Sequence, residues 1–272
     1  MPELPEVETT RRQIGPAIVG PTIREVTIHP GAERLAMTHS PRELEGELTG
    51  RTIESLDRHG KYLVATLDDG RSWVLHLRMS GSLVVTQSSE PDRYERARVV
   101  FDDDTILRFN DLRKFGTWHL VEDARDAMPN AGPDALSEEF SARWLREQLA
   151  RRSIAVKSAL LDQKIAAGVG NIYADEACYI AGVDPRAASN SLGPRRVARL
   201  HAAVIEALER SLVDGGTTFS DYLNGEGEPG LHRINVHVFR RDGEPCGRCG
   251  RTIQKIRLGG RGTHYCPRCQ RR

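Results

Sequence analysis

The chain has 272 residues, of which 39% are hydrophobic and 28% charged, and its formal net charge is +1. This composition is typical of a soluble globular protein with room for two domains. No apolar run approaches the ~18 residues that a membrane span needs, which excludes a helical membrane protein. The acidic, proline-rich start at residues 1–6 resembles neither a signal peptide nor a transit peptide, so we expect a cytoplasmic protein.

The first part of the chain predicts a helix followed by a β-rich domain. Residues 5–18 have Pro5 near the start and Val7, Ile14 and Ile18 at inward-facing positions of a helix. Short segments of alternating or apolar character follow, separated by turn signals: Thr22–Ile28, Tyr62–Leu67, Trp73–Leu77, Ser82–Val85, Arg98–Phe101, Ile106–Phe109 and Thr117–Val121. We predict an N-terminal antiparallel β-sandwich domain over residues 1–124.

A helical domain is predicted after a breaker-rich linker at residues 125–136. Periodicity and capping signals predict helices at residues 138–150, behind a serine cap, and at 154–162, 171–180 and from about 194 to the glycines 215 and 216. The domain, residues 137–230, ends in a Gly- and Ser/Thr-rich loop at 216–230, which is long enough to suggest a function. Residues 231–272 form a separate C-terminal module.

Four cysteines near the C-terminus form two C-x-x-C pairs with 16 residues between them: Cys246, Cys249, Cys266 and Cys269. Two such pairs are typical of a closed tetrahedral zinc site. Two disulfides or a redox dithiol are the alternatives. Nothing marks the chain as secreted, and a redox motif needs only one pair. We predict one structural Zn²⁺, because four protein ligands leave no open position for catalysis.

The C-terminal module is strongly basic. Residues 231–272 hold eleven Lys and Arg against two acids, whereas the remainder of the chain has an acidic excess of eight. A basic module on a mildly acidic body is typical of phosphate binding, and a solvated basic tail is the alternative. We therefore expect a nucleic-acid partner.

Pro2 follows the initiator methionine directly. Removal of Met1 would expose a secondary amine whose pKa, about 8, leaves part of it neutral and nucleophilic near pH 7. Most proteins that begin Met-Pro make no use of the proline, but Glu3 and Glu6 place two carboxylates beside this one. One carboxylate can act as a general acid while the other anchors the helix start. The pattern indicates an amine that attacks an electrophilic sugar carbon.

Four motifs together resemble one family. They are Met-Pro-Glu-Leu-Pro-Glu-Val-Glu at residues 1–8, Lys61 in His-Gly-Lys-Tyr-Leu, Asn171 in Gly-Val-Gly-Asn-Ile-Tyr-Ala, and the paired cysteines. In this order they resemble the formamidopyrimidine-DNA glycosylases of the Fpg/Nei superfamily, from residue 1 to about 271. The resemblance implies an α+β multidomain fold: an N-terminal β-sandwich with an N-terminal helix, a helix–two-turns–helix domain and a β-hairpin zinc finger.

The resemblance also implies roles for individual residues. Pro2 would attack C1′ of a damaged nucleotide, displace the base and form a Schiff base with the opened sugar. Glu3 would assist ring opening, and both flanking phosphates would then be eliminated. Lys61 would contact a phosphate near the lesion, although alone it reads as a surface lysine. Asn171, beside a glycine-rich helix turn, and Arg261 would bind phosphate too.

A wedge of three residues is implied as well, because the damaged base must leave the stack. Met79, Arg113 and Phe115 match the trio that fills the vacated space. On their own, Met79 and Phe115 read more readily as core residues. The resemblance further marks as DNA-binding positions Glu6, Arg96 and Lys157.

Two departures from the family pattern are visible. Tyr94-Glu95-Arg96 stands where a His-x-His pair is frequent, and Leu112 stands in the wedge loop where proline is frequent. The first would alter a phosphate contact and the second would loosen the loop. Cys178, the fifth cysteine, lies in an apolar helical stretch and reads as a core residue.

The resemblance predicts a monomeric, bifunctional DNA glycosylase and abasic-site lyase for oxidised purines in damaged double-stranded DNA. It would have no membrane partner and would work in the bacterial cytoplasm, at the nucleoid. One alternative is an endonuclease VIII-type glycosylase for oxidised pyrimidines, which the loop at 216–230 weakly disfavours. The other is a non-catalytic zinc-finger DNA-binding protein, which Pro2, Glu3 and Lys61 disfavour.

Overall fold

The structure is a computed structural model that describes residues 2–216 and 235–272. The chain divides into two units: Met1–Pro129 with Asp214–Leu231, and Asn130–Val213 with His232–Arg272. This division does not decide the finer boundaries expected at residues 124, 136 and 230, which stay predictions. Within the described ranges, none of the helices combines the length and the apolar character that a membrane crossing requires.

The described part of the first unit begins with a helix and continues mainly as strands. Its elements are α1 Leu4–Ile18, β1 Ile23–Ile28, a 3₁₀ helix at Glu33–Leu35, α2 Pro41–Leu48, β2 Ile53–His59, β3 Tyr62–Leu67, β4 Ser72–His76, β5 Gly81–Thr86, β6 Glu95–Phe101, β7 Ile106–Asp111, β8 Thr117–Val121 and α3 Ala124–Ala127. Helix α1 spans the predicted residues, and Val7, Ile14 and Ile18 are buried as its period requires.

Two four-stranded antiparallel sheets make up this unit, in the strand orders β1-β6-β7-β5 and β2-β3-β4-β8. Alternate residues of β6 are buried, as in a strand with one face on the core. Aromatic rings fill the space between the sheets: Phe109 of β7 meets Trp118 of β8 with ring centres 5.7 Å apart, and Trp118 meets Trp73 of β4 edge-on at 4.9 Å. The predicted antiparallel sandwich is confirmed.

Helix α2 and strand β2 were not predicted from the sequence. In β2, the buried residues Ile53 and Leu56 are three apart instead of two, because the pairing with β3 shifts register between Ile53 and Ser55. A bulge of this kind removes the alternation by which a strand is recognised. Helix α2 has only eight residues, which is too short for a clear period, although Ser40 caps it in a capping box with Glu43.

The described part of the second unit consists of helices and one hairpin. Its elements are α4 Ala142–Ala150, α5 Val156–Leu160, α6 Asn171–Ile180, a 3₁₀ helix at Ser189–Ser191, α7 Pro194–Val213, β9 Gln254–Leu258 and β10 Arg261–Tyr265. Strands β9 and β10 pair antiparallel, as expected for the hairpin of the zinc finger. Helix α7 buries Val197, Leu200, Val204 and Leu208 along one face and is followed by Gly215 and Gly216, both with positive φ.

Two predicted helices are shorter in the structure. The helix expected at residues 138–150 begins at Ala142, because Ser141 is its cap and accepts a hydrogen bond from the Trp144 N–H at 3.1 Å. The helix expected at 154–162 covers only Val156–Leu160. Helix α6 begins at Asn171 and ends at Ile180, as predicted.

Candidate functional site

The start of α1 fixes the two carboxylates beside Pro2. Pro2, Glu3 and Glu6 are all buried. Glu3 is the N-cap of the helix, and its N–H donates to the Glu6 carboxylate (Oε2) at 2.8 Å as one half of a capping box. Glu6 therefore anchors the helix start, which is one of the two roles expected for this pair, and Glu3 is held one residue from Pro2. Gly216 lies against the same helix turn, since a Cβ there would come within 3.4 Å of Glu6 Cγ.

A network that begins at Glu8 holds the turn directly before Lys61. The Glu8 carboxylate contacts the guanidinium groups of Arg11 at 2.9 Å, Arg12 at 2.7 Å and Arg58 at 3.1 Å. Arg58 also donates to the Gly60 carbonyl at 3.2 Å, one residue before Lys61. The Lys61 side chain is only 6% exposed, so it is not an ordinary surface lysine.

The Glu8 carboxylate stays ionised in this network. Burial raises the pKa of Glu8. The hydrogen bonds from Arg11 and Arg12 and the charges of Arg11 and Arg58 outweigh that effect and lower the pKa to about 2. Because this charge orients Arg58, the network fixes the turn at Gly60. Glu8 was not predicted as a functional residue, although it lies inside the motif at residues 1–8.

The structure brings the three wedge residues together on two loops, β4–β5 and β7–β8. The Arg113 guanidinium (Nη1) lies 3.4 Å from the Met79 sulfur. Met79 is 41% exposed and Phe115 is 51% exposed, so neither is a core residue. Leu112, where proline was expected, is also exposed on the second loop. The geometry suits a wedge that presents apolar and cationic groups to solvent.

Buried residues beneath these loops were missed by the sequence analysis. Asp111, at the end of β7, accepts hydrogen bonds from the Ser80 hydroxyl and from N–H groups of the second loop. His76 of β4 accepts the Arg78 N–H on Nδ1 at 2.8 Å. An aspartate at a strand end followed by a loop is a weak sequence signal for such capping, and the partners cannot be read from sequence.

Arg96 lies half-buried on β6 and contacts the same region. Its Nε donates to the Asp111 carbonyl at 2.8 Å. The neighbouring Glu95 is buried and accepts hydrogen bonds from His29 at 2.9 Å and Arg98 at 2.8 Å. Burial raises the pKa of Glu95, but the Arg98 and His29 bonds lower it below its ordinary value. The first departure from the family pattern thus takes part in an internal network.

In the second unit, the glycine turn before α6 has the expected form. Gly168 has φ of 101°, Gly170 is the N-cap, and Asn171 is the first residue of the helix. The Asn171 side chain donates to the Gly262 carbonyl at 3.1 Å, and Arg261 is exposed at the start of β10. Asn171 is therefore next in space to the residue that follows Arg261, so the structure brings these two predicted phosphate ligands close together.

Lys157 is buried and takes part in contacts inside the protein. Its side chain is 1% exposed, and its ammonium contacts Asp175 at 2.7 Å, the Gly262 carbonyl at 2.9 Å and the Thr263 hydroxyl at 2.8 Å. Asp175 in turn accepts the His264 N–H at 2.9 Å. The DNA contact expected for Lys157 stays a prediction, and in this structure the ammonium contacts groups inside the protein. The lysine joins α5 and α6 to β10.

The four paired cysteines lie together, with their sulfur atoms all within 4.8 Å of one another. The distance between sulfurs is 3.9 Å for Cys246 and Cys269 and 3.5 Å for Cys249 and Cys266. Tetrahedral Zn²⁺ with Zn–S bonds of about 2.3 Å places its sulfurs about 3.8 Å apart. These distances fit one structural zinc and exclude disulfides, whose sulfurs lie about 2.05 Å apart. The disulfide alternative is wrong.

Groups around the cysteines support the metal site. The Tyr179 hydroxyl lies 3.3 Å from the Cys246 sulfur, where it can donate to a thiolate, and Arg248 lies over the Tyr179 ring at 4.3 Å. By contrast, Cys178 is fully buried in α6, and burial raises the pKa of its thiol well above the ordinary range. Cys178 is therefore an inert core residue, as predicted.

Comparison with known proteins identifies the family. The formamidopyrimidine-DNA glycosylase N-terminal domain matches residues 1–118, the formamidopyrimidine-DNA glycosylase H2TH domain matches residues 131–222, and the zinc finger found in FPG and IleRS matches residues 243–272. The chain belongs to the formamidopyrimidine-DNA glycosylase family. The formamidopyrimidine-DNA glycosylase of Bacillus licheniformis is 40% identical over 277 residues, which cover 100% of both chains.

Solved structures of the formamidopyrimidine-DNA glycosylase family have the same fold. A complex of the Lactococcus lactis protein with a Fapy-dG-containing DNA superposes with a TM-score of 0.90 at 36% identity, covering 99% of this chain and 100% of that one. The Thermus thermophilus protein superposes with a TM-score of 0.88 at 38% identity, covering 99% and 98%. The predicted α+β fold and zinc finger are confirmed.

Proposed function

We propose that the chain is a bifunctional DNA glycosylase and abasic-site lyase that removes oxidised purines from double-stranded DNA in base excision repair. Its membership of the formamidopyrimidine-DNA glycosylase family supports the glycosylase activity. The observation that carries the mechanism is Pro2, adjacent to a buried Glu3 whose backbone is fixed by Glu6. A non-catalytic DNA-binding protein would need no such arrangement at its N-terminus.

The Pro2 amine, once Met1 is removed, is the nucleophile. Its nitrogen bonds to C1′ of the damaged nucleotide while the bond from C1′ to the base breaks, and the base leaves with a proton. Glu3 supplies a proton to the ring oxygen, so that the sugar opens and a cationic Schiff base forms. Loss of a C2′ proton then expels the 3′ phosphate, and a second elimination expels the 5′ phosphate.

Lys61 in the first unit, and Asn171 and Arg261 in the second, are the proposed phosphate ligands. The zinc ion, bound by four thiolates, would fix the hairpin that carries Arg261 and take no part in the chemistry. Residues 231–272 would supply the favourable electrostatic contribution, with eleven Lys and Arg.

The wedge residues Met79, Arg113 and Phe115 would fill the space left by the everted nucleotide. Met79 and Phe115 are exposed, and the Arg113 guanidinium lies beside the Met79 sulfur, as insertion into a base stack requires. Base eversion costs a few kcal/mol, and a wedge offsets part of that cost. Glu6 acts through Glu3 in this proposal and not through contact with DNA.

The choice of oxidised purines rests on the relatives. Formamidopyrimidines are ring-opened purines, and the Lactococcus lactis relative is described in complex with Fapy-dG-containing DNA. The loop at residues 216–222 resembles the loop that closes over an everted base in the purine-directed branch, and apart from Gly216 it lies outside the described residues. An endonuclease VIII-type enzyme for oxidised pyrimidines is the alternative. It would excise thymine glycol faster than 8-oxoguanine paired with cytosine.

As the proposed substrate is chromosomal DNA, we place the enzyme in the bacterial cytoplasm at the nucleoid, as a monomer. Sedimentation measures the oligomeric state, and imaging of a C-terminally tagged chain measures the cellular position, both independently of activity.

Borohydride trapping tests the mechanism. Reduction should convert the Schiff base into a stable protein–DNA adduct on duplex that contains 8-oxoguanine. Pro2→Gly should weaken trapping strongly, and a permanent N-terminal tag should abolish it, whereas Pro30→Gly, in a turn after β1, should trap like the unaltered chain. Full trapping by the tagged protein would exclude Pro2 as the nucleophile.

A further inference from the structure

The two wedge loops are joined beneath the surface by one pair of residues. The Ser80 hydroxyl donates to the Asp111 carboxylate (Oδ1) at 2.5 Å, although 31 positions separate the two residues in sequence. Ser80 is 5% exposed and Asp111 is fully buried. Ser80 follows Met79 directly, and Asp111 precedes the loop that carries Arg113 and Phe115. The pair therefore connects the two halves of the wedge.

The Asp111 carboxylate also shapes the second loop. Its Oδ1 accepts the Arg113 N–H at 3.1 Å, and its Oδ2 accepts the N–H groups of Phe115 and Gly116, both at 2.8 Å. The Ser80 hydroxyl accepts the Arg113 N–H as well, at 3.0 Å. Four donors converge on two carboxylate oxygens. An asparagine could not reproduce this, because its amide nitrogen is a donor and cannot accept an N–H.

The loops need this support because their backbone is strained. Arg78 and Lys114, which precede Met79 and Phe115, have φ of 53° and 57°, in the left-handed region that side chains with a Cβ disfavour. Gly116 packs so closely on Phe109 that a Cβ would lie 2.2 Å from the ring. Strained conformations persist only where neighbouring contacts over-determine them.

Two more contacts hold the same loops from other strands. His76 accepts the Arg78 N–H on Nδ1, and burial together with the charges of Arg78 and Lys61 lowers the pKa of His76 to about 3, so this nitrogen remains an acceptor at neutral pH. Arg96 donates to the Asp111 carbonyl, directly before Leu112. The two departures from the family pattern therefore both adjoin Asp111: Arg96 donates to its carbonyl, and Leu112 follows it in sequence.

We infer that Ser80 and Asp111 are positioning residues that hold Met79, Arg113 and Phe115 as one preformed wedge. This inference rests on the proposed function, because the wedge has a use only where a base is everted. A preformed wedge loses little conformational freedom on entering the stack, whereas two independent loops would have to be ordered on binding. The pair should therefore matter for eversion and for recognition of the orphaned base, and little for the chemistry at C1′.

The test compares Ser80→Ala and Asp111→Asn with a matched control, Asp102→Asn. Asp102 also accepts a backbone N–H, from Thr22 at 3.1 Å, but it lies in the exposed β6–β7 turn. Three substrates separate the steps: duplex with 8-oxoguanine opposite cytosine, the same duplex with adenine opposite the lesion, and single-stranded DNA with a ready-made abasic site. Melting temperatures, together with the single-strand reaction, report whether each variant is folded and chemically intact.

Both wedge variants should excise 8-oxoguanine from duplex roughly tenfold to a hundredfold more slowly, as expected for losing a hydrogen bond to a buried charge. Their preference for cytosine over adenine opposite the lesion should shrink. Cleavage of the single-stranded abasic site should change by less than about twofold, and Asp102→Asn should behave like the unaltered chain in every assay. Equal losses on all substrates would make the pair merely structural and would overturn the inference.

Amide hydrogen exchange tests the same inference without any activity. In the unaltered protein the N–H groups of Arg113, Phe115 and Gly116 should exchange slowly, and Asp111→Asn should speed their exchange at least about tenfold. Unchanged exchange would overturn the preformed wedge even if excision slows. If the unaltered chain forms no borohydride adduct with any substrate, the proposed function fails, while the exchange result still decides whether Asp111 braces the loops.

Discussion

At the scale of single residues, Glu8 shows how a motif residue outside the chemistry supports it. The carboxylate holds Arg58, and Arg58 holds the Gly60 carbonyl next to Lys61. Removing one member of a buried ion pair is costly, because the partner is left charged and uncompensated. Glu8 should therefore matter for stability and for the placement of Lys61, without contacting a substrate.

Glu8→Gln should lower the free energy of unfolding by about 3 kcal/mol at pH 7. The pKa of Glu8 is about 2 in the folded chain against an ordinary 4.5, so its stabilising contribution is fully present above pH 4.5 and is lost as the pH falls toward 2. The difference between Glu8→Gln and the unaltered chain should shrink over that window. Urea unfolding at pH 7, 4.5 and 3 measures it.

Glu54→Gln is the control for this prediction, since Glu54 is exposed on β2. It should change stability by less than about 0.5 kcal/mol at each pH. A Glu8→Gln deficit that stays constant from pH 7 to pH 3 would mean that packing, and not the carboxylate charge, is what the substitution removes.

Residue types in motifs identified most of the candidate site, but not the environment of each side chain. Pro2 and Glu3 could be proposed because an amine beside carboxylates has a recognisable chemistry, and the four cysteines because their spacing is typical of a zinc site. The burial of Lys157 could not be predicted, because a lysine next to a phosphate and a lysine paired with a buried aspartate look alike in sequence. Ser80 and Asp111 were missed, because their contact joins residues that no local pattern relates.

At the scale of elements, the period of the hydrophobic residues decided what could be predicted. Helices α1 and α7 were recovered because their buried apolar positions recur at helical spacing, whereas α6 is buried on all sides from Ile172 to Tyr179 and has no such period. Strand β2 was missed because of its bulge, and α4 was predicted too long because its N-cap is Ser141, three residues after the predicted start at Glu138. Tertiary contacts, not local preference, set these boundaries.

The ion pair of Lys157 and Asp175, with its hydrogen bonds, joins α5, α6 and β10, so its loss should destabilise the second unit. Lys157→Met should lower the stability of that unit by about 3 kcal/mol, since Asp175 would remain buried without its cation. Hydrogen exchange in α5, α6 and β10 reports this locally. Lys164→Met, which removes an exposed lysine between α5 and α6, is the matched control and should have little effect.

The same pair of variants separates an internal role from a DNA contact. If Lys157 has a structural role, Lys157→Met should speed amide hydrogen exchange in β10. The slope of log DNA affinity against log salt should then stay unchanged. Unchanged exchange with a slope reduced by about one would instead show that Lys157 neutralises a phosphate.

At the scale of the whole molecule, charge is segregated along the chain. Residues 231–272 carry eleven Lys and Arg against two acids, although the net charge of the protein is only +1. Counterion release depends on the cations that meet phosphate and not on the net charge. A nearly neutral protein can therefore bind DNA with a steep salt dependence, provided that individual cations such as Arg261 are exposed in the right place.

Arg261→Ala should weaken binding to damaged duplex and reduce the slope of log affinity against log salt by about one, because one phosphate contact is lost. Arg143→Ala makes the same change in net charge on α4, where Arg143 is exposed and pairs with Glu147, and should leave the slope unchanged. Binding measured at four salt concentrations distinguishes the two variants. Equal slopes for both would show that Arg261 acts through overall charge, and the phosphate contact assigned to β10 would be wrong.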